Sequence, residues 1–144
     1  MNALGFYTDD DITMTERTSV QADWILLTFN TSSYWYSLLG PDNTCNDYSM
    51  YSSLNFAVRY PASSVGFNIV LQTNDNATCT QMTQYPYNVT SLVNSATAGS
   101  DGWLHVSVPL SSFAGINLKA LKALVVAGFT AAGRIEFDYF NFTK

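Results

Sequence analysis

The stretch SLNFAVRYPASSVGFNIVLQT, residues 53–73, holds two runs in which large apolar side chains alternate with polar or small ones. Neighbouring side chains of a β-strand point to opposite faces, so this alternation predicts strands that are each buried on one face. The large apolar residues are Leu54, Phe56, Val58 and Tyr60 in the first run and Phe67, Ile69 and Leu71 in the second. The PASS segment between the runs predicts a short turn, which favours two neighbouring strands.

Strand patterns of the same kind occur on both sides of this pair. The further strands are predicted at 3–7, 12–18, 23–30, 33–39, 102–110, 123–129 and 134–142. The only helical pattern, INLKALKAL (116–124), predicts one short helical turn near 117–122. Eight or more short strands with little helix indicate an all-β fold, an antiparallel β-sandwich. Since 144 residues suffice for one core, we expect a single β-sandwich domain over residues 1–144.

The composition excludes several classes of partner. The chain is 47% hydrophobic, which excludes disorder, and only 12% of its residues are charged, with a net charge of −5. It has no basic stripe that would release counterions from nucleic acid or attract an anionic membrane. No apolar run approaches the ~18 residues that a membrane-spanning helix requires. We therefore expect neither nucleic acid nor a membrane as a partner.

The charge-poor surface, rich in Ser, Thr, Asn and Tyr, is typical of secreted proteins that work among neutral sugars. Four sequons could accept N-glycans if the protein is extracellular, although a chain this rich in Asn, Ser and Thr also produces sequons by chance. The sequon asparagines are Asn30, Asn76, Asn88 and Asn141. We therefore expect a secreted, extracellular glycoprotein.

The two cysteines, Cys45 and Cys79, each lie in a polar loop segment. Free cysteines are usually buried among apolar residues, so two loop cysteines in a secreted chain predict one disulfide. In the chain-entropy model, a loop of this size gives a stabilisation of about 3–4 kcal/mol. Two free thiols are the alternative.

The alternation also predicts a sheet face with an unusual set of polar and aromatic groups. Its residues are Asn55, Arg59, Asn68, Gln72, Trp103 and His105. Aromatic rings stack on the C–H face of a sugar, and amide or guanidinium groups pair with neighbouring hydroxyls. These side chains therefore predict a binding surface for a carbohydrate. The alternatives are an ordinary solvated face, and for Arg59 a structural ion pair with a carboxylate.

The segment TSSYWYSLLG, residues 31–40, divides its aromatics between two faces. Tyr34, Tyr36 and Leu38 share one face of the predicted strand, and Trp35 lies on the other. Two tyrosines and a leucine suit a core, and a tryptophan between two serines suits an open face, so we predict Trp35 on the ligand surface. The opposite assignment would expose Tyr34 and Tyr36, which could also stack on a sugar. Further tyrosines in predicted loops are candidates for the rim of a cleft or for loop packing: Tyr48, Tyr51, Tyr85 and Tyr87.

The C-terminal sequence GWLHVSVPLSSFAGINLKALKALVVAGFTAAGRIEFDYFNF resembles the C-terminal half of galactose-binding-like β-jelly-roll modules. It has their Trp-containing strand, VPLSSF corner, Leu/Lys-rich turn and closing I-F-D-x-x-x-F strand. YSSLNFAVRYPASSVGFNIVLQTNDNATC is similar to their central strand pair, and LGFYTDDDITM to their acidic opening strand. Together with SYWYSLL, the chain is most similar to modules attached to secreted fungal polysaccharide-active enzymes. The resemblance covers most of residues 3–142.

The resemblance implies a jelly roll that binds carbohydrate without catalysis, in a cleft on the concave sheet, and that is tethered to a catalytic domain. It also implies a structural Ca²⁺ between the acidic opening segment and the closing strand. The matching positions are Asp9, Asp10, Asp11 and Asp138. Carboxylate oxygens are the ligands that Ca²⁺ prefers, although TDDD lacks the spacing of an EF-hand loop. The alternative is an exposed acidic turn.

We therefore interpret the chain as a carbohydrate-binding module for a β-glucan or chitin-type cell-wall polysaccharide. In this interpretation Trp35 and Trp103 stack on the sugar, and the polar residues of the predicted face bind its hydroxyls. A small polysaccharide lyase acting on uronate polymers, or a structural or adhesive cell-wall protein, are the alternatives. A glycosidase needs two carboxylates across one bond, and the chain has only Glu16 and Glu136 as glutamates. We therefore do not expect an enzyme.

Overall fold

The computed structural model describes residues 18–21, 24–40, 44–60, 64–74 and 82–144, the first of these ranges by its backbone. The strands are β1 (Thr18–Gln21), β2 (Trp24–Phe29), β3 (Tyr34–Leu38), β4 (Ser53–Arg59), β5 (Asn68–Asn74), β6 (Met82–Asn88), β7 (Leu104–Pro109), β8 (Leu121–Ala127) and β9 (Gly133–Thr143). A helix α1 (Thr90–Ser95) and two 3₁₀ turns, at Leu110–Ser112 and Leu118–Ala120, complete the described elements. The predicted helical turn near 117–122 is confirmed.

The strands form two antiparallel sheets that pack face to face. The five-stranded sheet has the order β1-β2-β9-β4-β7, and the four-stranded sheet has the order β3-β8-β5-β6. Along the described strands the chain changes sheet at every connection except β1–β2 and β5–β6, which is the connectivity of a jelly roll. The predicted all-β antiparallel sandwich is therefore confirmed. The prediction that the strands on either side of PASS are neighbours is wrong, because they belong to different sheets.

A hydrogen bond joins the two described parts of the link between β4 and β5. The Tyr60 hydroxyl donates a hydrogen bond to the carbonyl of Val65 at 3.0 Å, and burial raises the pKa of this phenol to about 12. Val65 and Phe67 are buried in the core, so the chain passes through the edge of the core as it leaves one sheet for the other. A two-residue hairpin turn would have kept both strands in one sheet.

The core between the sheets is dominated by phenylalanines from both layers. Phe137 on β9 meets Phe67 edge-on at 5.4 Å, and Phe140 on the same strand stacks on Phe56 at 5.6 Å. All four rings are 0–1% exposed. The alternating apolar residues of 53–73 belong to this core, with Tyr60 partly buried against it.

Two described elements, β6 and α1, are absent from the sequence predictions. β6 lies where a loop was expected, since QYPYN has a proline and polar neighbours. Because β6 is an edge strand of its sheet, Pro86 removes no inner ladder bond and is tolerated there. Helix α1 has only six residues and no side-chain cap, so it carries no recognisable start signal.

Trp35 lies in the core, so its predicted place on the ligand surface is wrong. The indole is 4% exposed and stacks on Phe140 with ring centroids 5.9 Å apart. The flanking Ser33 and Ser37 are buried on the same side of β3, at 4% and 2% exposure. The two small serines leave space in the core that the large indole fills. The serines therefore accompany a buried tryptophan, not the open face that they suggested.

Several sequence predictions lie outside the described residues. They concern Asp9, Asp10, Asp11, Asn76 and Cys79, together with the strands at 3–7 and most of 12–18. The Cys45–Cys79 disulfide and the calcium site therefore stay predictions, as does glycosylation at Asn30, Asn88 and Asn141. The single-domain assignment of residues 1–144 also stays a prediction. Among the described residues no helix is long and apolar enough to span a membrane.

We predict that Trp35→Ala destabilises the fold by about 3–5 kcal/mol, because it opens a cavity beside Phe140. Trp35→Phe should cost less because it retains an aromatic ring in the same space. Urea unfolding of both variants, with the wild type as reference, measures the effect. A Trp35→Ala variant of unchanged stability that no longer binds glycan would place the indole on the ligand surface after all.

Candidate functional site

A groove of about 490 Å³ runs over the outer face of the four-stranded sheet. All four strands of that sheet contribute to it. The lining residues are Tyr34, Tyr36 and Leu38 from β3, Lys122, Val125 and Ala127 from β8, Val70 and Gln72 from β5, and Met82 and Gln84 from β6. The groove therefore crosses the whole width of the sheet.

The strand register places the groove residues in rows across the sheet. Tyr36 is the Cα partner of Val125, which in turn is paired with Val70. On the next row Gln72 is directly opposite Gln84. Side chains in one row of an antiparallel sheet point to the same face and contact one another. The groove thus has an aromatic side on β3, an aliphatic floor and an amide side on β6.

Two tyrosine rings form the aromatic side. Tyr34 and Tyr36 have ring centroids 6.5 Å apart and planes inclined by 25°, and Tyr34 is 39% exposed. Rings held in this way offer accessible faces that can stack on the C–H face of a sugar. This is the alternative that the sequence left open when it placed the two tyrosines opposite Trp35.

The polar groups of the groove are almost all neutral. Gln72 and Gln84 each carry an amide with two donor hydrogens and an acceptor oxygen, which matches the mixed capacity of sugar hydroxyls. Of the lining residues that the structure describes, Lys122 is the only one with a charged side chain. Asn68 lies beside the groove end rather than in its lining, with its amide against Gly128, where an added Cβ would come within 2.7 Å of Nδ2.

The other predicted ligand residues lie on the opposite side of the sandwich. Asn55 and Arg59 are on β4, His105 is on β7 and Trp103 immediately precedes β7, so all four belong to the five-stranded sheet. The prediction of one surface containing these residues together with Asn68 and Gln72 is wrong. Its physical reason is the change of sheet between β4 and β5, which local alternation does not encode.

Arg59 is held by its neighbours in the sheet. Its Nε donates to Oε2 of Glu136, which is its cross-strand partner on β9. Its guanidinium carbon lies 4.5 Å from the centre of the Trp103 ring and 5.7 Å from that of Trp24. Trp103 is only 7% exposed. The alternative that Arg59 is a structural ion-pair partner is confirmed, and Trp103 covers it rather than facing a ligand.

His105 and Asn55 also have partners within the five-stranded sheet. His105 Nε2 lies 3.1 Å from Oδ2 of Asp101, whose Oδ1 accepts the Trp103 backbone N–H. This backbone hydrogen bond holds the pKa of Asp101 below its usual value. Asn55 Nδ2 donates to Oδ1 of Asn141 at 3.1 Å.

The sequence reasoning missed the β6 and β8 residues of the groove. A usable signal was present for β6, since Met82, Gln84, Pro86 and Asn88 alternate with Thr83, Tyr85 and Tyr87. The first set faces outwards and the second faces the core, and Tyr87 contacts Phe113 at 5.7 Å. Tyr85 and Tyr87 are therefore packing residues of a strand, not loop residues at a cleft rim.

Tyr48 and Tyr51 are in a loop, as expected, and both pack on Phe142.

We predict that Arg59→Ala lowers stability by on the order of 1–2 kcal/mol, because it leaves the mostly buried Glu136 carboxylate without its partner; the value allows for the partly exposed guanidinium. Arg59→Ala combined with Glu136→Gln should recover part of the loss. Thermal unfolding measures both variants, and affinity electrophoresis checks that glycan binding stays as in the wild type. Loss of binding at unchanged stability would return Arg59 to the ligand surface.

The chain is similar to known carbohydrate-binding modules. Residues 5–138 match the family model described as Carbohydrate binding domain 30. The structure is similar to the family 30 module of the cellulosomal cellulase Cel9D-Cel44B of Clostridium thermocellum, with a TM-score of 0.64 and 15% identity over 90% of this chain and 82% of that one. No curated protein sequence matches the chain.

Two solved structures of family 11 modules from Clostridium thermocellum are also similar. One, in complex with a β-1,3-1,4-mixed-linked tetrasaccharide, gives a TM-score of 0.54 and 13% identity over 95% of this chain and 86% of that one. The other, from the cellulosomal cellulase Lic26A-Cel5E, gives 0.57 and 12% over 95% and 85%. At these identities the likeness concerns the fold, and it agrees with the jelly roll described above.

Proposed function

Because the chain belongs to the carbohydrate-binding domain 30 family and is a non-catalytic carbohydrate-binding module, we propose that the groove on its four-stranded sheet binds the polysaccharide. The observation that supports this site is the set of adjacent rows of groove side chains across the sheet, with tyrosines on β3 and, one row from Tyr36, glutamines on β5 and β6. Sugar rings would stack on Tyr34 and Tyr36 while Gln72 and Gln84 bind hydroxyls on the other side.

The groove offers mainly uncharged polar groups, which suits a neutral glycan. Among the described lining residues these groups are amides and phenols, and Lys122 is the one charged side chain. Arg59, whose guanidinium could pair with an acidic sugar, lies on the other sheet beside Glu136. A β-glucan or a chitin-type cell-wall glycan is therefore our proposed ligand. The family 11 structure with a mixed-linked β-glucan tetrasaccharide makes that oligosaccharide a suitable first probe.

The affinity of the groove for a single glycan chain should be modest. Each hydroxyl that gains a protein partner loses a water partner, so a hydrogen bond contributes little net free energy. Within a larger secreted enzyme, such a module would hold the catalytic domain near its substrate and raise the local concentration of that substrate. We propose this arrangement here, and the similar module from a cellulosomal cellulase is consistent with it. A fungal parent enzyme and extracellular disulfide bonding stay predictions within this proposal.

A structural Ca²⁺ belongs to the same proposal. Of its predicted ligands, the structure describes Asp138, a residue that is 6% exposed and whose Oδ1 accepts the backbone N–H of Tyr139 at 2.7 Å. A buried carboxylate oxygen is a donor of the kind that Ca²⁺ prefers. The ion would tie the opening acidic segment to β9 and would take no part in glycan chemistry.

We predict that Tyr36→Ala weakens binding to mixed-linked β-glucan roughly tenfold, since it removes a stacking surface at the centre of the aromatic side. Stability should change little because this ring is only half-buried. Affinity electrophoresis on gels containing β-glucan, and separately soluble chitin derivatives, measures the retention. Tyr36→Phe is the matched control and should retain most of the binding.

Wild-type mobility that is unchanged by every glycan tested would contradict the proposed ligand class and favour a structural or adhesive role. Equal binding by the wild type and Tyr36→Ala would instead move the ligand away from this groove.

We predict that removal of calcium by a chelator lowers the melting temperature by several degrees, because a bound ion stabilises only the folded state. Differential scanning fluorimetry with and without the chelator measures the shift, and elemental analysis of the purified protein counts the metal. Asp138→Asn is the variant that should lose the response. An unchanged melting temperature together with absent metal would remove calcium from the account.

A further inference from the structure

A second cleft, of about 380 Å³, lies on the outer face of the five-stranded sheet, on the side of the sandwich opposite the groove. Its side chains come from three neighbouring strands: Asn55 from β4, His105 and Ser107 from β7, and Tyr139 and Asn141 from β9. We propose that this cleft is a second binding site, weaker than the groove, for a sugar ring of a neutral glycan. The proposal goes beyond the groove and does not depend on it.

The backbone at Tyr139 is strained in a way that places its ring in the cleft. Tyr139 has φ of +56°, in the left-handed region that bulky side chains rarely adopt. Between the pairs Asn55–Asn141 and Ala57–Asp138, β9 has one more residue than β4, which makes a β-bulge. After the bulge Phe140 is directed into the core at 0% exposure, and Tyr139 is left 41% exposed.

This strain points to a function for the aromatic ring. Glycine or asparagine would adopt the same backbone conformation at lower cost, and an exposed tyrosine gains little by burial. Strained residues persist where the surrounding structure holds them, and they concentrate at binding sites. Here Asp138 stabilises the bulge, because its Oδ1 accepts the Tyr139 backbone N–H at 2.7 Å. The positive φ of an exposed tyrosine therefore indicates a ligand that contacts the phenol ring.

His105 provides a second ring beside Tyr139. The two ring centroids are 5.9 Å apart with planes tilted by 39°, and the His105 side chain is 53% exposed. Its Nε2 lies 3.1 Å from Oδ2 of Asp101, which fixes the orientation of the imidazole. Two exposed rings at an angle form a shallow corner of the size that a single sugar ring can contact.

The amides of the cleft have hydrogen-bonding capacity left after their contacts with each other. Asn55 Nδ2 donates to Oδ1 of Asn141 and to Oγ1 of Thr143, and Asn141 Nδ2 donates to the Tyr139 carbonyl. Within the described residues this leaves the Asn55 Oδ1 acceptor, one Asn141 N–H and the Ser107 hydroxyl for a ligand. A set of mixed neutral donors and acceptors suits hydroxyl groups, whereas a phosphate or a metal ion would call for charged partners.

His105 gives a direct test because it is the only histidine of the chain, so its imidazole NMR signals are unambiguous. The probes are cellotetraose, a β-1,3-1,4-mixed-linked tetrasaccharide and chitotetraose, each titrated to millimolar concentration. The Tyr36→Ala variant is used so that the groove is impaired. We expect a saturating shift of the His105 signals with at least one probe, at a dissociation constant roughly tenfold above that of the wild-type groove.

Tyr139→Gly and Tyr139→Asn are the matched variants. Both residues accept a positive φ, so we expect a melting temperature no lower than that of the wild type together with loss of the His105 shift. The side-chain amide signals of Gln72 and Gln84 report the groove in the same spectra, and they should respond to the glycan in these variants as in the wild type.

Three results would overturn the second site. They are His105 signals that stay unchanged with all three probes, a His105 shift that disappears in Tyr36→Ala, and a shift that persists in Tyr139→Gly. The two sites are tested separately, because a response of Gln72 and Gln84 without His105 supports the groove alone. A response of His105 without the glutamines supports the second cleft alone.

Discussion

The packing of phenylalanine rings between the sheets is the interaction on which the rest of the structure depends. On β9 of the five-stranded sheet, Phe137 contacts Phe67, which lies just before β5. Phe140 of the same strand stacks on Trp35 of β3, a strand of the four-stranded sheet. Burial of large aromatic surfaces is the main favourable term for a domain of this size. When these rings occupy the interior, the side chains at the alternate strand positions must face outwards. Those outward side chains determine which polar and aromatic groups each outer face presents.

The two outer faces differ in how their polar and aromatic groups are used. On the five-stranded sheet Arg59, Glu136 and Trp103 satisfy one another, so much of that face is committed to its own stability. On the four-stranded sheet Tyr36 and Gln72 border an open groove. The Arg59–Glu136 ion pair therefore lies on the side of the sandwich opposite the groove.

Local sequence patterns predicted the strands well and the sites only in part. The alternation over residues 53–73 identified core positions correctly, because period-2 burial is a local property. It could not show that β4 and β5 belong to different sheets, since this depends on long-range pairing with β9 and β8. The parity of Tyr34, Trp35 and Tyr36 was also correct, but the choice of face was not. Which face points into the core depends on the space available between the two sheets. Beside Trp35 the buried Ser33 and Ser37 are small and leave that space for its indole.

The most direct measurement of the central claim is a crystal structure of the module with a bound β-1,3-1,4-mixed-linked tetrasaccharide. The account predicts the oligosaccharide across the four-stranded sheet, with a sugar ring stacked on Tyr36 and hydroxyls within hydrogen-bonding distance of Gln72 and Gln84. A tetrasaccharide bound over Arg59 and Trp103, with the groove on the four-stranded sheet empty, would contradict it.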